Sequence, residues 1–121
     1  MKGKKIDLVI LAGGKGTRIK KFLNKNPKPL IKINKIPFLQ ILLNEYTKYP
    51  FKNIYILAGY RGKVIYKKYN NKYQNFVKIN CIVEKKLLGT AGALNNLRNK
   101  INNDFILMNG DSYLNVNLNK F

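Results

Sequence analysis

The sequence predicts an α/β fold, a Rossmann-like and mostly parallel sheet with helices on both faces. Short apolar runs alternate with segments of helical spacing, which is the pattern of β-α units. The runs at 6–11 and 105–108 are mostly apolar, as in central strands that are buried on both sides. Glycine-containing loops follow Leu11, Leu57 and Met108. If the strands are parallel, these loops share the edge where α/β sheets bind ligands.

Each element has its own local signal. Apolar runs between glycines and turn residues predict strands, and apolar residues at three- and four-residue spacing predict helices. Two prolines exclude a helix interior over 24–29, whereas Pro37 suits the first turn of a helix. In chain order we predict a strand (6–11), a helical turn (19–23), an extended segment (30–33), a turn (34–35), a helix (37–49), a strand (53–57), a helix (63–69), a strand (77–83), a helix (90–100) and a strand (105–108).

Composition limits the class of protein. A length of 121 residues with 45% hydrophobic residues predicts one globular domain over 1–121. The sequence has one cysteine, Cys81, and no histidine, which argues against zinc sites and histidine-based catalysis. It has no apolar run of about 18 residues and no secretory pattern at its charged start, so we expect no membrane span and a cytoplasmic location.

The net charge of +19 raises an alternative function, a basic nucleic-acid-binding domain. Two features argue against it. Of the 24 basic residues 21 are lysine, whereas base recognition favours arginine. The basic residues are also spread along the chain without a block of five. A solvated lysine surface accounts for them equally well.

The most informative motif is the loop at 11–18, directly after the first predicted strand. Three glycines in four positions allow the backbone N–H groups to approach a phosphate closely. The loop matches neither a Walker A motif nor the dinucleotide-binding pattern, and a glycine-rich turn without a ligand remains open on this motif alone. The candidate residues are Leu11, Ala12, Gly13, Gly14, Lys15, Gly16, Thr17 and Arg18.

Three further motifs carry chemistry. Lys28 lies between two prolines, so its backbone is restricted and its ammonium is suited to a fixed phosphate. Asp111 follows a buried strand and a glycine, where a carboxylate suits Mg²⁺. Glu84 ends a strand, and its carboxylate could accept from the N1–H and amine of guanine. The alternatives are an exposed lysine in a stiff linker, a simple Gly-Asp turn and a surface glutamate paired with a lysine.

Together, the motifs 11–18, 27–30, 84–92 and 109–111 closely resemble those of the sugar-1-phosphate nucleotidyltransferase family in order and spacing. The resemblance extends over nearly the whole chain. It is greatest to the branch of heptose- and mannose-1-phosphate guanylyltransferases. It implies nucleotidyl transfer from a nucleoside triphosphate, with GTP favoured, to a sugar 1-phosphate, releasing pyrophosphate.

The resemblance also implies roles for individual residues. The loop 11–18 would wrap the triphosphate, with Arg18 on the β- and γ-phosphates, and Lys28 would contact phosphate at the reacting centre. Asp111 would bind Mg²⁺, and the base would lie against Glu84, Gly89 and Thr90, since Gly89 and Gly92 bracket the start of a helix with free backbone donors.

Members of this family are commonly about twice as long, and their second half carries another metal-binding aspartate, another lysine and most of the sugar pocket. The resemblance thus implies that this chain is the nucleotide-binding half, completed by a complementing C-terminal segment or a homo-oligomer. A non-catalytic nucleotide-binding module is the alternative within the same fold.

Overall fold

A computed structural model describes residues 6–12, 27–84, 92, 94–95, 97, 100–101 and 104–110. For Lys28 it describes the backbone only. Within these residues the elements are β1 (Asp7–Ala12), a 3₁₀ turn (Lys28–Leu30), β2 (Lys32–Ile33), β3 (Ile36–Pro37), α1 (Phe38–Tyr46), β4 (Asn53–Ala58), α2 (Gly62–Tyr69), β5 (Lys72–Gln74), β6 (Val77–Val83) and β7 (Phe105–Asn109).

The predicted mostly parallel sheet is confirmed. In the described part of the chain, five strands lie in the order β5-β6-β4-β1-β7. β1 pairs in parallel with β4 and with β7, β4 pairs in parallel with β6, and β5 runs antiparallel to β6. The chain moves outward from β1 to β4 and β6, then returns to the other side of β1 as β7. This reversal beside the first strand is the topological switch point at which open α/β sheets bind ligands.

Both faces of the sheet are covered, as predicted. On one face α1 and α2 bury a large cluster that includes Leu8, Ile54 and Ile79. On the other face Val9, Tyr55 and Leu57 pack with Leu97. The two helices share a face because both connections run in the same direction across the sheet, whereas the connection from β6 to β7 returns over the opposite face. Right-handed crossovers require this arrangement.

The segment before α1 differs from the prediction. The predicted extended segment 30–33 is wrong at Leu30. This residue ends the 3₁₀ turn, and its side chain is buried. Residues 34–35 form the predicted turn, but this turn joins the hairpin β2–β3. Pro37 is the last hairpin residue and not the first helical one. Its ψ of 139° is extended. Because the β2–β3 pairing is only two residues long, the hairpin tolerates the missing N–H of Pro37.

Two other predictions need correction. The first helix ends at Tyr46, not at Tyr49. Thr47 closes it by donating from its N–H and hydroxyl to the Leu43 carbonyl, and Pro50 disfavours a helical Tyr49. β5 was not predicted, since its three residues, Lys72, Tyr73 and Gln74, are too few to show a strand pattern. Of the predicted helix 90–100, residues 92, 94 and 95 are helical, and most others lie outside the described residues.

We expect Phe76→Gly to stabilise the protein by about 0.5–1 kcal/mol. Asn75 and Phe76 form the turn between β5 and β6, with φ of 50° and 67°. Phe76 is 93% exposed, so its ring contributes little packing to offset a left-handed backbone that glycine adopts freely. Urea unfolding measures the effect. Phe76→Ala is the control, because it removes the ring and keeps the strain; equal stability of the two variants would contradict the prediction.

Asp7 is a buried carboxylate at the amino end of β1. It is 2% exposed, and its Oδ1 has no hydrogen-bond partner among the described residues. Desolvation raises the pKa of Asp7, although hydrogen bonds from Asn53 and the charge of Lys52 act in the opposite direction. Because the folded chain holds this proton more tightly than the unfolded chain, ionisation of Asp7 lowers stability as the pH rises above its usual value of 3.8.

Asp7→Asn should therefore stabilise the protein at pH 7 by about 1 kcal/mol, with a smaller gain at pH 4. Urea unfolding at both pH values measures this difference. Asp104→Asn is the matched control, since Asp104 is exposed at the same end of the sheet. A variant less stable than wild type at pH 7 would contradict the argument.

Candidate functional site

The candidate site lies along the carboxyl edge of the parallel strands. β6, β4, β1 and β7 end side by side there, so the predicted convergence of loops is confirmed for the glycines after Ala58 and Asn109. Three interstrand spacings of about 4.8 Å separate the ends of β6 and β7, a span of about 14 Å. An elongated ligand lying along this edge would have one end at Glu84 and the other near Gly110.

Leu11 and Ala12 form the end of β1 at the centre of this edge. Ala12 is buried, and Leu11 is partly buried against the cluster that contains Leu97. The Gly110 N–H donates to the Leu11 carbonyl oxygen at 2.7 Å. This bond holds Leu11, where the glycine loop begins, against Gly110, which precedes Asp111 in the sequence.

Gly110 occupies a position that excludes a side chain. A Cβ placed on it would lie 2.9 Å from the Leu11 carbonyl oxygen and 3.3 Å from Cγ2 of Ile10. The distance to the carbonyl oxygen is too short for a real Cβ, so the close approach of the two backbones favours glycine. Gly110 thus allows β7 to lie close against β1 at this point.

Glu84 lies at the end of β6, where its N–H donates to the Ala58 carbonyl oxygen at 2.7 Å. The side chain is only 9% exposed, and Oε1 has no hydrogen-bond partner among the described residues. Burial raises the pKa of Glu84. This burial distinguishes Glu84 from the surface glutamate of the alternative reading. An unpartnered acceptor at a sheet edge is suited to a ligand that donates hydrogen bonds.

Lys28 has the restricted backbone that its two prolines predict. The Leu30 N–H donates to the Pro27 carbonyl oxygen at 2.9 Å, which closes the 3₁₀ turn. Leu30 anchors this turn in the core beneath α1. The turn therefore holds the Lys28 backbone rigidly, and the direction of its side chain lies outside the described structure.

Several predicted site residues lie outside the described residues. They are Gly13, Gly14, Lys15, Gly16, Thr17, Arg18, Gly89, Thr90 and Asp111. Among the residues that are described, no group of three or more histidine, cysteine, aspartate or glutamate side chains could hold a metal ion. The structure therefore places Leu11, Ala12 and Glu84 at the carboxyl edge of the sheet, together with Gly110.

The structure adds a feature that the sequence reasoning did not single out, the loop between β4 and α2. Arg61 is exposed, has a left-handed φ of 52°, and lies with its guanidinium 5.8 Å from the centre of the Tyr60 ring. This loop lies beside Glu84, because Gly62 packs against Ala58 and Val83. The sequence signal was the glycine pair that brackets it.

No helix among the described residues is long and apolar enough to span a membrane.

Comparison with known proteins decides the family. Residues 7–121 match the model of the nucleotidyl transferase family. This chain belongs to that family. It is 32% identical over 112 residues to D-glycero-alpha-D-manno-heptose 1-phosphate guanylyltransferase of Campylobacter jejuni, which covers 93% of this chain and 50% of the relative. It is 30% identical over 110 residues to UTP--glucose-1-phosphate uridylyltransferase AglF of Haloferax volcanii, covering 91% and 45%.

The structure of HddC from Yersinia pseudotuberculosis resembles this nucleotidyl transferase chain closely. It superposes with a TM-score of 0.82 at 34% identity, covering 95% of this chain and 52% of HddC. A second HddC structure, complexed with GMP-PN, gives a TM-score of 0.81. The predicted fold and family are thus confirmed. The chain spans about half the length of these relatives.

Proposed function

We propose that this chain is the nucleotide-binding half of a sugar-1-phosphate nucleotidyltransferase and that its preferred nucleotide is GTP. The observation that carries the proposal is the buried Glu84 carboxylate at the carboxyl edge, whose Oε1 lacks a partner among the described residues. A carboxylate only accepts hydrogen bonds, and guanine presents two adjacent donors, N1–H and the 2-amino group. The HddC complex with GMP-PN supports the same choice of base.

Uracil suits this carboxylate less well. Its single ring N–H is flanked by two carbonyl oxygens, and these would lie against the negative charge of Glu84. The uridylyltransferase relative from Haloferax volcanii shows that the choice of base varies within the family. Glu84 is therefore the residue of this chain on which we base the preference for GTP.

The chemistry proposed is the attack of a sugar-phosphate oxygen on the α-phosphorus, with release of pyrophosphate. No protein nucleophile is needed, because the protein positions two polyanions and neutralises their charge. Arg18 and the backbone of 13–17 would hold the triphosphate, and Lys28 would stabilise charge at the reacting centre. Mg²⁺, held by Asp111 and the phosphates, would supply Lewis-acid stabilisation when bound.

The half-length match defines what the isolated chain should do. The chain spans about half of each relative. We therefore expect it to bind nucleotide in a Mg²⁺-dependent manner, and to catalyse nucleotidyl transfer only when a complementing segment supplies the rest of the site. The sugar phosphate would be the second substrate of that completed enzyme. Its cytoplasmic location stays a prediction.

Titration of the chain with GTP, CTP, UTP and dTTP in the presence of Mg²⁺ tests the proposal. We expect GTP to bind most tightly, and Arg18→Ala to weaken triphosphate binding about 10- to 100-fold, the value of a hydrogen bond to a charged group. Lys72→Ala is the control, since it removes one exposed positive charge from β5, the strand at the outer edge beyond β6.

Failure to bind any triphosphate would contradict the proposal. The nucleic-acid alternative is tested in the same experiment with a polynucleotide in place of the nucleotide. It predicts a steep loss of affinity between about 50 and 200 mM salt and no preference for a base.

A further inference from the structure

The loop between β4 and α2 carries a positive charge beside the proposed base site. The Gly62 N–H donates to the Gly59 carbonyl oxygen at 2.8 Å, so the chain turns back at the end of β4. A Cβ on Gly62 would lie 2.9 Å from Val83 Cγ1, and Val83 directly precedes Glu84. Arg61 is the residue before Gly62, and the two Cα atoms are about 3.8 Å apart. The long arginine side chain can therefore reach a ligand that is bound at Glu84.

The backbone of Arg61 is fixed in a conformation that favours glycine. Its φ of 52° and ψ of 33° are left-handed, which costs a residue with a Cβ some stability. The Val64 N–H donates to the Arg61 carbonyl oxygen at 3.1 Å, and the buried Ile65 anchors the start of α2 in the core. A glycine would form the same turn without strain. The turn itself therefore does not explain why this position carries an arginine.

The guanidinium of Arg61 is exposed and only weakly held. It lies 5.8 Å from the centre of the Tyr60 ring, and a cation–π contact at an exposed site is weak. Among the described residues no carboxylate forms an ion pair with Arg61. Oε1 of Glu84 likewise has no hydrogen-bond partner in the described part of the chain. A hydrogen-bond donor and a buried acceptor thus lie near each other without being paired, which suits a ligand that presents both kinds of atom.

We propose that Arg61 is a second specificity-determining residue, which donates to O6 and N7 of guanine while Glu84 accepts from N1–H and the 2-amino group. Guanine presents O6 and N7 as neighbouring acceptors, and the two donors of an arginine side chain match them. O6 is next to N1 on the ring, so the two side chains would bind adjacent parts of one base. The inference rests on the proposed function and extends its choice of GTP to a second residue.

The acceptors O6 and N7 set guanine apart from the other bases. Adenine presents an amino group where guanine has O6, and that donor would face the Arg61 guanidinium, which has no acceptor. Pyrimidine bases have no N7. A purine that lacks one of the two acceptors should therefore bind less tightly, even when its contacts to Glu84 are kept.

Titration calorimetry with GTP and 7-deaza-GTP, both with Mg²⁺, tests this assignment. 7-Deaza-GTP keeps the atoms that face Glu84 and lacks the N7 acceptor. We expect wild type to bind GTP about ten-fold more tightly than 7-deaza-GTP. Arg61→Ala should weaken GTP binding about 10- to 100-fold and bind the two nucleotides equally. Arg61→Lys should lose most of the same preference, because lysine keeps the charge but not the paired donors.

Two further variants separate the base contact from other effects. Lys63→Ala is the matched control, since it removes an exposed positive charge two residues further along the chain; it should keep the preference for GTP over 7-deaza-GTP. Arg61→Gly removes the side chain and relieves the left-handed backbone. It should lose the preference as Arg61→Ala does, with stability in urea unfolding that is unchanged or greater, so that misfolding does not account for the loss.

Three outcomes would overturn the inference. The first is equal binding of GTP and 7-deaza-GTP by wild type, and the second is an unchanged preference in the Arg61 variants. The third is an equal loss of affinity for GTP, CTP and UTP in Arg61→Ala, which would assign the charge to the triphosphate. All three leave the proposed function intact, whereas failure of wild type to bind any triphosphate would overturn both.

Discussion

Glu84→Gln is expected to remove the preference for GTP and, at the same time, to make the unliganded chain more stable. The first effect follows from the donor and acceptor pattern. Glutamine keeps one oxygen acceptor but replaces the other with an amide NH₂ group. That donor group would face one of the two donors of guanine. We expect GTP affinity to fall about 10- to 100-fold, while UTP affinity stays the same or rises, because the amide can both accept from uracil N–H and donate to a carbonyl.

The gain in stability follows from the burial of the carboxylate. Desolvation raises the pKa of Glu84 in the folded chain, and Oε1 has no described partner to offset it. The folded state thus binds this proton more tightly than the unfolded state, and stability falls as the pH rises from the usual value of 4.5 through the raised pKa. The glutamine variant lacks this loss and should be about 1 kcal/mol more stable at pH 7.

Opposite effects on stability and on selectivity separate a binding role from a structural one. A glutamate kept for packing would lose stability and leave the choice of base unchanged when replaced. Functional sites often retain groups that destabilise the free protein, since the ligand satisfies them. Wild-type GTP affinity should also rise with pH as Glu84 ionises, whereas CTP affinity should not.

Competition titrations of GTP against UTP and urea unfolding at pH 4 and pH 7 measure both effects. Glu45→Gln is the control, because Glu45 lies on α1 and pairs with Lys48 at 3.1 Å. Retention of the GTP preference in Glu84→Gln, or a variant less stable than wild type at pH 7, would contradict the assignment of Glu84 to the base.

The parts of the fold that the sequence predicts are those with strong local signals. β1, β4 and β7 are apolar runs followed by glycine, and β6 alternates apolar and polar residues, so pattern and tertiary structure agree. β5 was missed because three residues are too short a segment to show a strand pattern, and they form a strand by pairing with β6. The turn at Phe76 was missed for a similar reason, since an aromatic residue is not expected at a left-handed position.

The chemistry of the site was predictable only in part. Residue types and order identified Glu84 as a candidate, but not whether it was buried or paired on the surface. Its burial depends on the register that places Glu84 beside Ala58, and register between distant strands is not encoded in any short motif. The role of Gly110 likewise depends on its contact with Leu11, about a hundred residues away in sequence.

The second large effect is expected from Gly110→Ala, which should destabilise the chain by about 1–3 kcal/mol. The new Cβ would lie 2.9 Å from the Leu11 carbonyl oxygen, 3.3 Å from Ile10 Cγ2 and 3.4 Å from the Ala12 Cβ. A carbonyl oxygen in the middle of a sheet cannot move without breaking its ladder. β7 would therefore have to move away from β1 at the point where Asp111 follows.

Gly62→Ala distinguishes loss of folding from loss of the site. Its new Cβ would lie 2.9 Å from Val83 Cγ1 and 3.0 Å from the Ala58 Cβ, so a comparable loss of stability is expected from side-chain overlap. Gly62 lies at the start of α2, against β4 and β6, whereas Gly110 follows β7. The Mg²⁺ dependence of triphosphate binding should thus survive in Gly62→Ala and weaken about ten-fold in Gly110→Ala.

Both variants are compared with Asn109→Ala, which changes an exposed neighbour of Gly110 without adding an atom at the contact. Unfolding by urea gives the stabilities, and titration of GTP at several Mg²⁺ concentrations, below the unfolding temperature of each variant, gives the metal dependence. If Asp111 holds Mg²⁺ at the end of β7, displacement of that end must weaken GTP binding more in the presence of Mg²⁺ than in its absence. Equal Mg²⁺ dependence in Gly110→Ala and wild type would remove Asp111 from the metal site.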